Sequence, residues 1–178
     1  MFALMLFSGA FFWTFCEYIL HRFLGHVHKG KNFFKSEHQL HHSKFNYFAP
    51  VYKKAIASEV VSTILFITLN LFLSSLNAFA FVFGFASMYF LYESTHFRYH
   101  SAEPLVKPFI LLRKHHFYHH FHNPKVNHGV TTRFWDRVFG TFECIEKVKV
   151  PKSMSMDWLV EENKIKDKYS KHFHLNSR

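Results

Sequence analysis

Val60–Tyr92 reads VVSTILFITLNLFLSSLNAFAFVFGFASMYFLY, 33 residues without one charged side chain. As a single helix it would run about 50 Å, against a bilayer hydrocarbon thickness of roughly 30 Å. The run should therefore break, and Ser74-Ser75-Leu76-Asn77 is the polar cluster inside it where a tight turn fits. This predicts two apolar helices, residues 55–73 and 78–95, each about the length a membrane span needs. Residues 1–16 are also uncharged. They predict a third span over residues 1–20, with Trp13 and Tyr18 as interface anchors. That segment lacks the basic start and small-residue cleavage site of a signal peptide, so it is expected to stay.

The rest of the chain is basic. Residues 22–54 carry seven Lys/Arg against the single acid Glu37, and residues 93–178 carry fifteen Lys/Arg. By the positive-inside bias both regions should be cytoplasmic, with the N-terminus and the Ser74–Asn77 turn opposite. Topology then accounts for most of the net charge of +10. It weakens a nucleic-acid reading, which no recognised motif supports. Disorder is excluded by 49% hydrophobic residues and 25 Phe, and a disulfide scaffold by a count of two Cys. The expected fold is an all-α membrane bundle of about three spans topped by a cytosolic, histidine-rich helical cap. One domain should cover residues 1–178, with 142–178 a cytosolic tail.

Sixteen histidines are present, and most sit in four clusters beside the predicted spans. These are His21-Arg-Phe-Leu-Gly-His26, His38-Gln-Leu-His41-His42, His96-Phe-Arg-Tyr-His100 and His115-His116-Phe-Tyr-His119-His120. His96 and His100 are i,i+4, so on a helix both imidazoles leave one face about 6 Å apart. His38, His41 and His42 are i, i+3, i+4 and share a face, and His116, His119 and His120 repeat the pattern. His21 and His26 are i,i+5 and would diverge on a straight helix. Gly25 lies between them, so the helix is expected to end there and a loop to return His26.

Neutral imidazole is a first-row metal ligand through either ring nitrogen. Ten imidazoles are too many for one ion and about right for two, and ligand type alone does not choose among zinc, copper, nickel and iron. His28, His115 and His122 break the spacings and read as supporting or surface groups. His172 and His174 lie in a polar tail and should have no metal role.

The order and spacing of HRFLGH, HQLHH, HFRYH and HFYHH resemble the fatty acid hydroxylase/sterol desaturase superfamily of membrane non-haem diiron oxidoreductases. The segment Asn127–Thr141, NHGVTTRFWDRVFGT, resembles the closing segment of that family. Glu17-Tyr18 ahead of the first box resembles the fatty acid 2-hydroxylases. The resemblance covers about Phe12 to Thr141 and implies two iron ions, with zinc possible in purified protein. Carried over position by position, the ligands would be His21, His26, His38, His41, His42, His96, His100, His116, His119 and His120.

It further implies O2-dependent hydroxylation or desaturation of an acyl chain or other lipid, with a separate cytochrome b5- or ferredoxin-like electron donor. A homodimer contact could replace spans that relatives have and this chain lacks. No protein nucleophile is expected. A carotenoid ring hydroxylase is a rival within the same chemistry, and a metal transporter a rival from another class. His128 should line the substrate pocket or lie at the surface. Asp136 is placed to accept bonds from a box histidine or a backbone turn, or to be a surface acid. Phe79, Phe81, Phe83, Phe85 and Phe90 could line an acyl tunnel or face lipid and neighbouring helices.

Overall fold

The computed structural model describes residues 1–105 and 108–176. Helix α1 (Phe2–Ile19) continues without a break into a π-helix, Leu20–Val27. Then come α2 (Phe33–Ser43), α3 (Val51–Leu69), α4 (Ser75–Ser101), α5 (Pro108–Phe121) and the single-turn α6 (Phe134–Val138). Asn32 caps α2, its Oδ1 accepting the Lys35 N–H at 2.7 Å, a standard N-cap bond. Pro50 precedes α3, where its fixed φ suits a helix start.

Helices α1 and α4 form the central pair, and two glycines let their backbones touch. A Cβ on Gly9 would lie 1.9 Å from the Phe81 carbonyl oxygen, and one on Gly84 2.0 Å from that of Leu6. Further along the seam, Trp13 meets Phe85 edge-on at 5.2 Å and Tyr89 at 4.8 Å. The outward faces stay apolar: Phe7 is 72% exposed and Phe90 74%. Apolar surface on this scale marks contact with something other than water.

Phe2–Val27 and Ser75–Ser101 are long and apolar enough to cross a membrane. The span expected over residues 55–73 differs. Helix α3 carries Lys53, Lys54 and Glu59, and its uncharged part, residues 60–69, is only about 15 Å long. The hairpin turn also shifts. The expected Ser74–Asn77 turn falls instead on residues 70–74, because α3 starts at Val51 and ends at Leu69, and Ser75 already belongs to α4.

The all-α expectation fails in the last forty residues. Strand β1 (Val148–Pro151) pairs in parallel with β4 (Phe173–Asn176), Val148 opposite Phe173. Strands β2 (Val160–Glu161) and β3 (Lys164–Ile165) form a tight hairpin. Its two turn residues, Glu162 and Asn163, have φ of 47° and 60°, as a type I′ turn demands. Val148, Val150, Trp158, Leu159, Tyr169 and Phe173 are buried in one cluster with Ile110 and Phe117 of α5 and Tyr99 of α4. The tail is therefore a packed brace on the back of α5. Arg113 locks the junction: it donates to the carbonyls of Ala102 (2.6 Å) and Arg98 (3.0 Å), closing the C-terminus of α4. Its guanidinium lies 4.2 Å from the Trp158 ring, a cation–π contact.

Candidate metal centre

All ten box histidines converge, in two groups of five. His21, His26, His38, His42 and His119 form the first group, and His41, His96, His100, His116 and His120 the second. Within each group the candidate ligand atoms lie within 4.8 Å of one another. One ion with nitrogen ligands at about 2.1 Å needs opposite donors about 4.2 Å apart, so a small contraction closes each group around one ion.

Helix α2 sends the i,i+4 pair His38 and His42 to the first group and His41 to the second. Helix α5 does the converse, with His116 and His120 in the second group and His119 in the first. The single face expected of each triplet thus serves two centres. His96 and His100, on the last turns of α4, both join the second group as the i,i+4 spacing requires.

The first box arrives by a route the sequence reading did not foresee. The chain does not leave the helix at Gly25; it widens into the π-helix through Val27. An i→i+5 bonding pattern brings residues five apart onto one side, and the His21 and His26 rings stand 5.3 Å apart. Gly25 serves another purpose: a Cβ there would approach His38 Cδ2 to 3.0 Å.

The rings are held by the backbone on their far side. His41 Nδ1 donates to the Tyr47 carbonyl at 2.7 Å and His119 Nδ1 to the Val126 carbonyl at 2.7 Å, while His21 Nδ1 donates to the His128 carbonyl. Each bond fixes the proton on Nδ1 and turns the Nε2 lone pair inward, as metal-binding histidines require. The inner nitrogens include buried atoms without a hydrogen-bond partner: Nε2 of His21, His41 and His96, and both nitrogens of His120. Others face each other, His26 and His38 Nε2 at 2.8 Å and His100 and His116 Nε2 at 2.9 Å. Buried polar atoms left in this state are costly, and a cation would satisfy them together. The residues fit a pair of metal ions.

Burial keeps these rings neutral. It lowers His41 to a pKa of about 4 and His42 to about 3, and drives His38, His116, His119 and His120 well below the usual range. In each case desolvation is the leading cause, reinforced in His38, His42, His116, His119 and His120 by neighbouring imidazoles.

The remaining histidines sort by contact. His128 is 1% exposed, which excludes the surface reading. Its ring packs 5.2 Å from that of His119, and its Nε2 donates to the Lys125 carbonyl at 3.1 Å. His115 is buried on the other face of α5, its Nε2 donating to Asp136 Oδ2 at 2.9 Å. His122 accepts the Lys149 N–H at 2.8 Å, tying α5 to β1. His28 is exposed, and His172 and His174 belong to the folded tail, outside both groups.

Asp136, also fully buried, is no surface acid. Oδ1 accepts from His128 N and Thr141 Oγ1, and Oδ2 from Gly129 N and His115, all within 2.9 Å. Burial raises its pKa, but the His115 bond and charge, with the Gly129 and Thr141 bonds, outweigh that and hold it below the ordinary carboxylate value. The sequence signal for this carboxylate was its place in the closing motif; no signal pointed to the carbonyls of Tyr47, Val126 and His128.

A cavity of about 600 Å³ opens between α1, α2, α3 and α4. Its walls include Trp13, Phe34, Phe48, Val61, Phe85 and Tyr92, and His21, His38, His41 and His96 from both groups reach it. Of the five phenylalanines proposed for a tunnel, Phe85 lines this cavity. Phe79, Phe83 and Phe90 are 52%, 55% and 74% exposed, and Phe81 lines a separate shallow groove near Trp135. The lipid-facing alternative describes those three better.

The fatty acid hydroxylase profile matches residues 6–141. The chain is 36% identical over 155 residues to the ceramide very long chain fatty acid hydroxylase SCS7 of Saccharomyces cerevisiae, covering 80% of this chain and 39% of that protein. It is 30% identical over 142 residues to the dihydroceramide fatty acyl 2-hydroxylase FAH2 of Arabidopsis thaliana, covering 78% and 60%. To the fatty acid 2-hydroxylase of Mus musculus it is 32% identical, covering 75% and 38%. The chain thus spans about two fifths to three fifths of the length of these relatives. Among solved structures, full-length scs7p, with only its hydroxylase domain visible, superimposes with a TM-score of 0.62 at 30% identity, covering 80% of this chain and 57% of that one. With both histidine groups, most of the apolar helix pair and the closing segment inside the matched region, the chain belongs to the fatty acid hydroxylase family.

Proposed function

We propose that the protein is a membrane oxidoreductase that hydroxylates an acyl chain beside its carboxyl or amide carbon, using two iron ions and O2. The observation that carries this reading is the cavity: a largely apolar space of about 600 Å³ whose wall holds histidines of both groups. An acyl chain matches such a lining, and the volume lies in the usual range for ligand pockets. The three relatives described above carry fatty-acyl names, which supports an acyl chain over a carotenoid ring.

The ligand set is the ten box histidines, five to each ion, with residues 1–178 acting as one unit. Bound iron would supply O2 reduction and removal of hydrogen from a C–H bond, chemistry no side chain here can perform. The chain's own part is positional. The carbonyls of Tyr47, Val126 and His128 orient three ligand rings, burial keeps the imidazoles unprotonated, and Trp13, Phe34 and Phe48 exclude water. Electrons come from a separate cytochrome b5- or ferredoxin-like donor. The basic segments support a cytoplasmic side for the histidine groups, and a homodimer is compatible with the exposed apolar helix faces.

Lipid mass spectrometry of cells with and without the gene product tests the reading. Acyl lipids gaining one oxygen, with fragmentation placing it next to the carbonyl, are the expected result. Loss of two hydrogens would replace hydroxylation by desaturation, and an unchanged lipid profile would remove the acyl substrate.

A further inference from the structure

Glu17 is a carboxylate inside an otherwise uncharged apolar helix, 3% exposed and bonded to no basic side chain among the described residues. A group in that position normally carries a specific task, because burial of a polar side chain must be compensated by bonds. Its bonds all go to one place. Oε1 accepts the backbone N–H of Val130 at 2.5 Å and of Thr131 at 3.0 Å, and Oε2 accepts the Thr131 hydroxyl at 2.5 Å. From the other side Asp136 grips the same turn through the N–H groups of His128 and Gly129, both at 2.8 Å. Two carboxylates therefore hold four consecutive backbone N–H groups, residues 128–131.

The element so clamped meets the candidate centre through His128, whose ring packs 5.2 Å from that of His119 and whose carbonyl accepts Nδ1–H of His21. His21 lies on the same helix as Glu17, one turn further on. The neighbouring Tyr18 adds a second tie, its hydroxyl bonded to Thr141 Oγ1 at 2.9 Å, with Thr141 in turn donating to Asp136. Glu17 and His21 thus form two fixed points between α1 and the 128–131 turn.

We propose that Glu17 is a positioning residue for the first metal centre: by holding Val130 and Thr131 it sets the His128 carbonyl against His21 Nδ1, and so determines that His21 presents Nε2 to the metal. This rests on the two-metal reading above. It gives the Glu-Tyr pair ahead of the first histidine box a physical role that the ligand set alone does not.

The test is a two-step cobalt titration of the purified, metal-depleted full chain, with the electronic spectrum reporting each centre. Wild-type uptake of two equivalents is the check on the two-metal reading itself; uptake of none or one sinks that reading and this proposal with it. Given two equivalents, Glu17→Ala should weaken one of them about 10–100-fold, the usual cost of removing an outer support of a ligand, and leave the other unchanged. Glu17→Gln keeps an oxygen for the two N–H groups and an amide to donate to Thr131 Oγ1, so it should recover most of the affinity. In a double-mutant cycle Glu17→Ala should be non-additive with His21→Ala and additive with His96→Ala. Equal weakening of both centres, or additivity with both histidines, would reduce Glu17 to general packing and overturn the proposal. If Glu17→Ala does not fold, Glu17→Gln and Thr131→Val carry the same comparison.

Discussion

His42 and His120 lie face to face, their ring centroids 4.1 Å apart and their planes 9° from parallel. One belongs to each group of five, so this stack is the shared wall between the two groups. Removing either ring should disturb both: His42→Ala and His120→Ala are expected to weaken both cobalt-binding steps. His26→Ala, whose ring contacts the first group and His128, should weaken one step alone. Site-resolved titration distinguishes the two patterns.

Replacing His41 or His119 removes an inward Nε2 whose orientation is fixed by a backbone carbonyl. Turnover should fall to background and metal content from two equivalents to one or fewer. Replacing His174, which sits in β4, should change both by less than about twofold, in the range of ordinary surface substitutions. Equal damage from His174→Ala and His119→Ala would discredit the ligand set.

Acid should destabilise the metal-free protein steeply. His41 and His42 have folded pKa values of about 4 and about 3, against an ordinary value near 6.5. Below pH 6.5 the unfolded chain takes up protons the folded chain refuses, so stability falls as pH falls, from about 6.5 down to about 3. Thermal melts in detergent between pH 8 and pH 4 measure this, and a flat profile would contradict the burial of these rings.

Single cysteines placed at Ser75 and Ser101, the exposed ends of α4, in a background lacking Cys16 and Cys144, should label from opposite sides of the membrane. The helix between them is about 40 Å long. Equal accessibility would deny that α4 spans.

Gly9→Ala should be costly despite its small size. The new methyl would meet the Phe81 carbonyl at 1.9 Å, backbone against backbone, so neither side can yield by a rotamer change. A loss of about 1–3 kcal/mol is expected, as for other overpacked contacts, read as a lower melting temperature.

Much of this was legible in the sequence because it rests on local periodicity. The uncharged run announced a helix, a turn and a second helix, and the spacings of three and four announced which helices carry the grouped histidines. What escaped were features set by distant contacts. The β1–β4 pair joins residues 25 positions apart through four-residue strands, too short to show alternation against a lysine-rich background. The division of each triplet between two centres depends on what α2 and α5 face, and helix spacing alone cannot supply that. The turn moved from Ser74–Asn77 to residues 70–74, where Asn70 ends α3 and Ser74 precedes α4, a choice of polar residues that hydropathy does not make.

The π-helix between Leu20 and Val27 has a consequence for how the first box can be broken. On an α-helix five residues advance about 500°, which would point His26 some 140° away from His21. Membership of His26 in the group is therefore encoded in the winding of the backbone. Arg22, Phe23 and Leu24 belong to neither histidine group, yet a change among them that restored ordinary winding would take His26 out of its group while leaving every histidine in the sequence. A box of this kind can be lost by a substitution at a residue that binds nothing.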